Sequence, residues 1–482
     1  MRIGIHVVAY NAASTLAQVL DRIPREFASK ISDILVFDDH SDDSTYLVGL
    51  GYAQTSDLPL RVFRNETNLG YGGNQKAGYR WAIDNGLDVI VLLHGDGQYA
   101  PEMLPDMVAA LESHNADAVF GSRMMLDGAA RRGGMPLYKF VGNKILTKIQ
   151  NAAAGASLSE WHSGYRVYRV SALREIPFES NSDGFDFDTQ IILELLEANK
   201  SIAEIPIPTY YGDEISRVNG LGYARDVVRH VLKYRAHKMG FGSGERAFNS
   251  QEYELKQSDN SSHRTVAAWL EGRAPMRILD LGCSSGHLSE QLRKLGHTVV
   301  GVDVVELDGV HDRVDQFVAA DLALGIPDTV GRDFDLVLAA DVLEHVPEPE
   351  LLLRGAAELL GPRGTMIACV PNISHWYPRS RVAAGRFAYE RRGILDRGHL
   401  RFFTRKTFRS MAQDCGFVVT RAAAVGVPFE VLERGGSGAP RNVLLRGAQR
   451  VDKLATATWP TMFGYQLLFE LTKHTGSVVP RP

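Results

Sequence analysis

The sequence predicts an α/β chain of two domains, each a mainly parallel sheet covered by helices. Three observations carry this. Short β-branched runs alternate with helical patterns from the first residues. The alternation breaks once, into Gly, Ser, Asn and Gln between Phe241 and Asn260, and a second alternating series begins at Arg277. Such alternation is the signature of βαβ units, and a polar, Gly-containing break is the signature of a linker.

In the first series the expected strands are Ile3 to Val8, Ile34 to Phe37, Leu60 to Phe63 and Val89 to Leu93. Helical spacing covers Leu16 to Ile23 and Gln75 to Asn85. The second series opens with Arg277 to Leu281, continues with a helix over Leu288 to Leu295, and returns to a strand over Thr298 to Val302. The expected division is a first domain over 1–240, a linker over 241–262 and a second domain over 263–482.

Composition narrows the function classes. A chain of 482 residues exceeds one ordinary core. A net charge of -4 gives no general footprint for nucleic acid, and none is expected as a partner. The three cysteines, Cys283, Cys369 and Cys415, are scattered without zinc-ligand spacing, which fits a reducing compartment. The chain begins without the features of a signal peptide and contains no membrane-spanning apolar run, so the expected location is cytoplasmic.

In open α/β sheets ligands collect at the carboxyl ends of strands, so the residues just after each strand carry the chemistry. The first strand ends in Ala9-Tyr10-Asn11, the second in Asp38-Asp39-His40-Ser41-Asp42-Asp43, and the fourth in His94-Gly95-Asp96-Gly97-Gln98. Carboxylates there can read a base or ribose, cap the following helix, or hold a divalent cation against a leaving diphosphate. Asn68-Leu69-Gly70-Tyr71-Gly72-Gly73-Asn74 opens a helix whose amides suit an anion.

These segments resemble family-2 glycosyltransferases of the GT-A fold, in particular the dolichyl-phosphate mannose synthase type, over about residues 2 to 235. Tyr10, Asn11, Asp38 and Asp39 match; His40 stands where that family has Gly, and His94 where its metal motif has the first Asp. The resemblance implies a nucleotide-sugar site built from Tyr10, Asn11, Asp38, Asp39, Gly70, Gly73, Asn74, Asp96, Gln98 and Arg166. It implies Mg²⁺ or Mn²⁺ on Asp96, and Asp188 or Asp186 near the reacting sugar. A lipid phosphate such as polyprenyl phosphate is the implied acceptor, with a glycan hydroxyl as the alternative. A hydroxyl would need a base, for which Asp188 comes first and Asp186 second.

In the second half, Asp280-Leu281-Gly282-Cys283-Ser284-Ser285-Gly286 follows a strand and opens a helix, and Asp303 ends the next strand. A glycine turn with a downstream acid suits a dinucleotide or another ribose-bearing cofactor. The acid before the first glycine resembles the motif of class I, Rossmann-like S-adenosylmethionine-dependent methyltransferases, with Ser284 replacing the middle glycine. Ala320-Asp321-Leu322, Asp341-Val342-Leu343-Glu344-His345, Ser374-His375-Trp376 and Gly398-His399 resemble later motifs in order. The implied S-adenosylmethionine site comprises Asp280, Gly282, Ser284, Gly286, Asp303, Asp321 and Asp341. His399 and His345 are the candidate bases, each with a purely structural alternative.

Arg225, Arg229 and Lys233 share a predicted helix with Val227, Val228 and Val231. Such a helix either packs on its own domain or lies on an anionic membrane, which would place the chain peripherally at the inner membrane surface. Trp459 to Leu471 is aromatic and apolar, and either docks on the second domain or touches a bilayer. The expected function is a bifunctional enzyme of glycan or glycolipid biosynthesis. The alternative is a methyltransferase joined to a nucleotide-sugar-binding scaffold that has lost catalysis.

Overall fold

The structure is a computed structural model that describes residues 1–210, 220–239, 241, 262–390, 392–427 and 443–474. The chain separates into two compact units, with the break between Arg235 and Ala236. The linker expected over 241–262 lies outside the described residues except at its two ends.

The first unit holds β1 (Ile3–Ala9), β2 (Ile31–Asp38), β3 (Leu60–Arg64), β4 (Val89–His94), β5 (Ala118–Ser122), β6 (Arg166–Arg169) and β7 (Ile202–Pro206) in one sheet. The strand order is β3-β2-β1-β4-β6-β5-β7. Six strands are parallel, and β6 alone runs against its neighbours β4 and β5. The apolar runs of β1, β2 and β4 are continuous because both faces are covered. On one face Ile5, Val7, Ile34, Val36, Val91 and Leu93 pack with Leu16, Leu20, Leu104 and Leu111. On the other, Leu35, Phe37 and Ile90 pack with Tyr79, Phe187, Ile191 and Leu195. Each such side chain contributes about 1.5–3 kcal/mol on burial.

The second unit holds β8 (Arg277–Leu281), β9 (Thr298–Asp303), β10 (Gln316–Ala319), β11 (Phe334–Ala340), β12 (Leu360–Pro371), β13 (Phe417–Val425) and β14 (Gln466–Lys473). Their order is β10-β9-β8-β11-β12-β14-β13, with β14 alone reversed. The apolar tail segment is therefore a strand inserted between β12 and β13, and Leu467, Phe469 and Leu471 are core. That settles the docking alternative for β14 within its own unit.

The helix Gly220–Lys238 packs Val231 and Tyr234 into the first unit's core and also buries Val227, with Arg225, Arg229 and Lys233 exposed. Arg235 donates to Ala152 O at 2.7 Å. This is the packed arrangement of the two considered for the basic helix. The helix Leu137–Ala154 is built the other way round. Polar Asn143, Thr147 and Gln150 are buried, while Leu137, Tyr138, Val141, Ile145 and Ile149 are exposed. Among the described residues no helix is long and apolar enough to cross a membrane.

Candidate active sites at the carboxyl ends of two sheets

In each sheet the chain changes winding direction between two central strands, β1 and β4 in the first and β8 and β11 in the second. The crevice outside such a switch point is where ligands bind. The sequence-predicted residues fall at these ends, but they do not all face the crevice.

In the first unit the loops after β1 and β2 brace each other. Asn11 N donates to Ser41 Oγ at 2.8 Å, and Asp42 N donates back to Asn11 Oδ1 at 2.9 Å. Asp38 is buried, accepts from the Ser41 hydroxyl and lies 3.4 Å from Arg64 Nε. Asp39 Oδ1 accepts from Asn65 Nδ2 and from Leu69 N, both at 2.8 Å. Asn11 and His40 hold φ of 50° and 57°. His40 thus stands at a left-handed position, which costs a side-chain-bearing residue roughly 1–2 kcal/mol.

The glycine-rich segment does not form an anion cradle here. Gly72 N and Gly73 N donate to Asp183 O at 2.8 and 3.4 Å, and Gly70 N donates to Asn68 Oδ1 at 3.0 Å. The glycines serve close approach: a Cβ on Gly72 would stand 2.5 Å from Ser182 O and 2.8 Å from Phe187 Cβ. Asn74 is buried and donates to Phe37 O at 3.0 Å, which ties the helix Gly70–Asp84 to β2.

Arg166 is also redirected. The expected phosphate clamp is buried, donating to Ser163 O at 2.9 Å, Trp161 O at 3.1 Å and Asp188 O at 3.2 Å, and stacking over Phe120. Its charge faces Asp188 Oδ1 at 3.4 Å. Asp188 also accepts from Tyr71 OH at 3.2 Å and Gln75 Nε2 at 3.3 Å. Asp186 accepts from Ser182 Oγ at 2.7 Å and pairs with His230 Nε2 at 2.8 Å, and the hydrogen bond from His230 lowers its pKa.

Asp96 is exposed at the end of β4 and accepts from Gln98 N at 3.0 Å; Tyr10 is exposed as well. His94 packs edge-on to Tyr99, with Nε2 3.2 Å from Tyr71 OH. Burial lowers its pKa against the pull of Asp96 and Asp188. Tyr71, Gln75 and His230 were missed in the sequence. Tyr71 stands inside a motif that drew attention to its glycines, and His230 carries no local signal.

In the second unit a cleft of about 380 Å³ is lined by Gly282, Ser284, Asp303, Asp321, Asp341 and His345 among others. Asp303 Oδ2 accepts from Ser284 N at 2.8 Å. Ser284 and Asp341 hold φ of 50° and 59°, so Ser284 also occupies a position where glycine is easier. Asp321 accepts from Ala323 N at 2.9 Å. Asp280 and Gly286 do not line the cleft. Asp280 lies beneath the loop, accepts from Ser289 Oγ at 2.5 Å and is pushed up to about 7 by burial. Gly286 starts the helix His287–Lys294 with φ 77°, close against Arg313.

His375 caps its own helix through Tyr377 N and packs with Phe241 and Tyr465, away from this cleft's lining. His399 is buried behind His345, ring to ring at 4.9 Å.

Comparison with known proteins separates the same two halves. The family description "Glycosyl transferase family 2" matches residues 4–177, and "Methyltransferase domain" matches 253–422. An undecaprenyl-phosphate mannosyltransferase from Micrococcus luteus is 30% identical over 240 residues, 48% of this chain and 94% of that protein. A polyprenol monophosphomannose synthase from Mycolicibacterium smegmatis is 27% identical, over 42% of this chain and 74% of that protein. A ubiquinone biosynthesis O-methyltransferase from Azorhizobium caulinodans is 41% identical over 108 residues, 20% of this chain and 41% of that protein.

Proposed function

The chain belongs to glycosyl transferase family 2 through its N-terminal half and carries a methyltransferase domain in its C-terminal half. From this premise we propose that the first site moves a sugar from a nucleotide-sugar donor to a polyprenyl phosphate at a membrane surface. The second moves a methyl group from S-adenosylmethionine to a hydroxyl in the same glycan or glycolipid pathway. The domains we assign are 1–240 and 263–482, joined by 241–262.

One observation carries the lipid acceptor: the inverted helix Leu137–Ala154. Its buried polar face is tied to the first site, since Gln150 Nε2 donates to Thr189 Oγ1 beside Asp188, at 3.0 Å, and Asn143 Nδ2 donates to Glu160 at 2.7 Å. Its outer face is an apolar stripe flanked by the exposed Lys144 and Lys148. Such a face suits the boundary between acyl chains and anionic headgroups.

The carboxylates agree with a phosphate acceptor. His230 and Ser182 hold Asp186 below the ordinary carboxylate range, which makes it a poor base at neutral pH. Asp188 is engaged by Tyr71, Gln75 and Arg166. An ionised phosphate needs no base. Its oxygen bonds to the anomeric carbon as the bond to the nucleoside diphosphate breaks, the electron pair leaving on the diphosphate. Asp96 is the residue that would hold a Mg²⁺ or Mn²⁺ ion, which supplies charge neutralisation for that leaving group.

The second cleft fits S-adenosylmethionine. Asp303 offers a carboxylate for ribose hydroxyls, and Gly282 and Ser284 bring main chain to the cleft wall. When bound, that cofactor supplies an electrophilic methyl group. The protein's part is to align it with an acceptor.

The test combines the protein with polyprenyl phosphate in micelles, Mn²⁺ or Mg²⁺, and a panel of UDP-, GDP- and dTDP-sugars. Organic-extractable sugar that disappears in Asp96→Asn is the expected result. Transfer to glycan hydroxyls with polyprenyl phosphate ignored would overturn the lipid acceptor.

A further inference from the structure

Glu344, His345 and His399 converge beside the second cleft, each offering one ligand atom, and these atoms all lie within 4.8 Å of one another. Glu344 and His345 follow β11, whereas His399 arrives on a separate loop. Main-chain bonds lock the two segments: Leu400 N and Arg401 N donate to Glu344 O at 2.7 and 3.1 Å. Gly398 permits the approach, since a Cβ there would stand 3.3 Å from His345 Nδ1.

The imidazoles are oriented in the same way. His345 Nδ1 lies 3.0 Å from Gly398 O, and His399 Nδ1 lies 3.1 Å from Ile394 O. A carbonyl only accepts, so each Nδ1 carries the proton and each Nε2 presents a lone pair. Carbonyl-anchored imidazoles of this tautomer are how proteins hold metal-ligating histidines. Glu344 is 1% exposed and His399 7% exposed, while His345 is exposed, so two of the three groups are buried and the third opens to solvent. His345 in turn lines the cleft together with Asp303 and Asp341.

We propose that Glu344, His345 and His399 form a divalent-cation site on the acceptor side of this cleft, where the ion binds the hydroxyl to be methylated. Two imidazoles and one carboxylate suit Zn²⁺, Mn²⁺ or Fe²⁺ better than Ca²⁺, and leave positions open for oxygen ligands. A hydroxyl on such an ion loses its proton more readily. The proton passes to solvent, the oxygen bonds to the methyl carbon, and the carbon–sulfur bond breaks with its electron pair remaining on sulfur. His345 and His399 are then ligands rather than the general bases that the sequence suggested. The ion's role rests on the methyl-transfer reading; its residence does not.

The experiment titrates metal-free full-length protein with Mn²⁺ and follows imidazole nitrogen coupling by electron spin-echo modulation. A His94→Gln background removes the imidazole nearest Asp96. Nitrogen coupling should persist in that background and be lost on adding His345→Gln together with His399→Gln. Mn²⁺ affinity at this site should fall at least about tenfold, while the melting temperature of the second unit is retained. Coupling absent from the His94→Gln protein, or unchanged in the folded variant, overturns the site. If the glutamine variants do not fold, Glu344→Gln decides: weakened Mn²⁺ binding with coupling retained supports the site, and unchanged affinity overturns it. Bound Mn²⁺ without any methyl transfer would count against the methyl-transfer reading and leave the cation site standing.

Discussion

Arg166 and Asp188 face each other at 3.4 Å inside the first unit, with side chains 1% and 8% exposed. Arg166 is the first residue of β6, the strand that runs reversed in the first sheet, and pairs with Leu92 near the end of β4. The reversal delivers a buried cation to the edge where the parallel strands end. There it holds the helix Phe187–Glu197 and the carboxylate on its first turn.

Arg166→Met should therefore destabilise the first unit rather than merely weaken donor affinity. Removing one partner leaves a buried charge uncompensated, at a cost of about 3–5 kcal/mol. Hydrogen-exchange mass spectrometry on a peptide spanning Tyr165–Arg169 reads this separately from the second unit. Unchanged protection there would mean that Asp188 is satisfied without the arginine.

Gly72→Ala should separate the helix Gly70–Asp84 from the 182–187 segment, because the added methyl meets Ser182 O and Phe187 Cβ. Overpacking of this kind costs about 1–3 kcal/mol. Displacement of the segment carrying Asp186 should lower sugar transfer at least tenfold while the methyltransferase unit keeps its melting temperature. Wild-type transfer rates in the alanine variant would refute the proximity argument.

Asp96→Asn and Asp303→Ala should separate the two activities. The first should stop donor-sugar turnover and leave S-adenosylmethionine affinity intact. The second should weaken that affinity by about 1.5–3 kcal/mol through loss of charge-assisted hydrogen bonds, with sugar transfer unchanged. Calorimetry and a donor-turnover assay on both variants check this. Loss of cofactor binding in a folded Asp96→Asn protein would point to one shared site.

Asp280 should make the second unit less stable as pH rises from about 4 to 7. Its folded pKa is raised from 3.8 to about 7 by burial. Between those values the unfolded chain has released the proton while the folded chain retains it, so raising the pH favours unfolding. Below the window both states are protonated, and above it the penalty is constant. Melting curves of wild type and Asp280→Asn across this range should diverge, with the asparagine variant lacking that part of the slope.

Leu137→Ser, Val141→Ser and Ile145→Ser combined should abolish co-sedimentation with phosphatidylglycerol vesicles without lowering the melting temperature, because these side chains are exposed. Arg225→Glu with Arg229→Glu should matter less, since that helix packs its apolar face inward. The reverse ranking would return membrane contact to the basic helix.

What the sequence determined by itself was local: periodicity and composition. Continuous apolar runs marked β1, β2, β4, β8 and β9 within a few residues, since a strand covered on both faces must be apolar throughout. The residues after those strands were legible as site residues for the same topological reason, and Asp96, Ser284, Asp303 and Asp341 stand at strand ends. The substitutions His40 and Ser284 were visible as departures, but their left-handed backbone was not. Tertiary structure alone decided where each polar group points. It gave the Gly72 amide to Asp183, buried Arg166 and Asp280, placed β14 inside the second sheet, and brought His399 to His345. Those outcomes depend on contacts between residues distant in the chain, which no local period encodes.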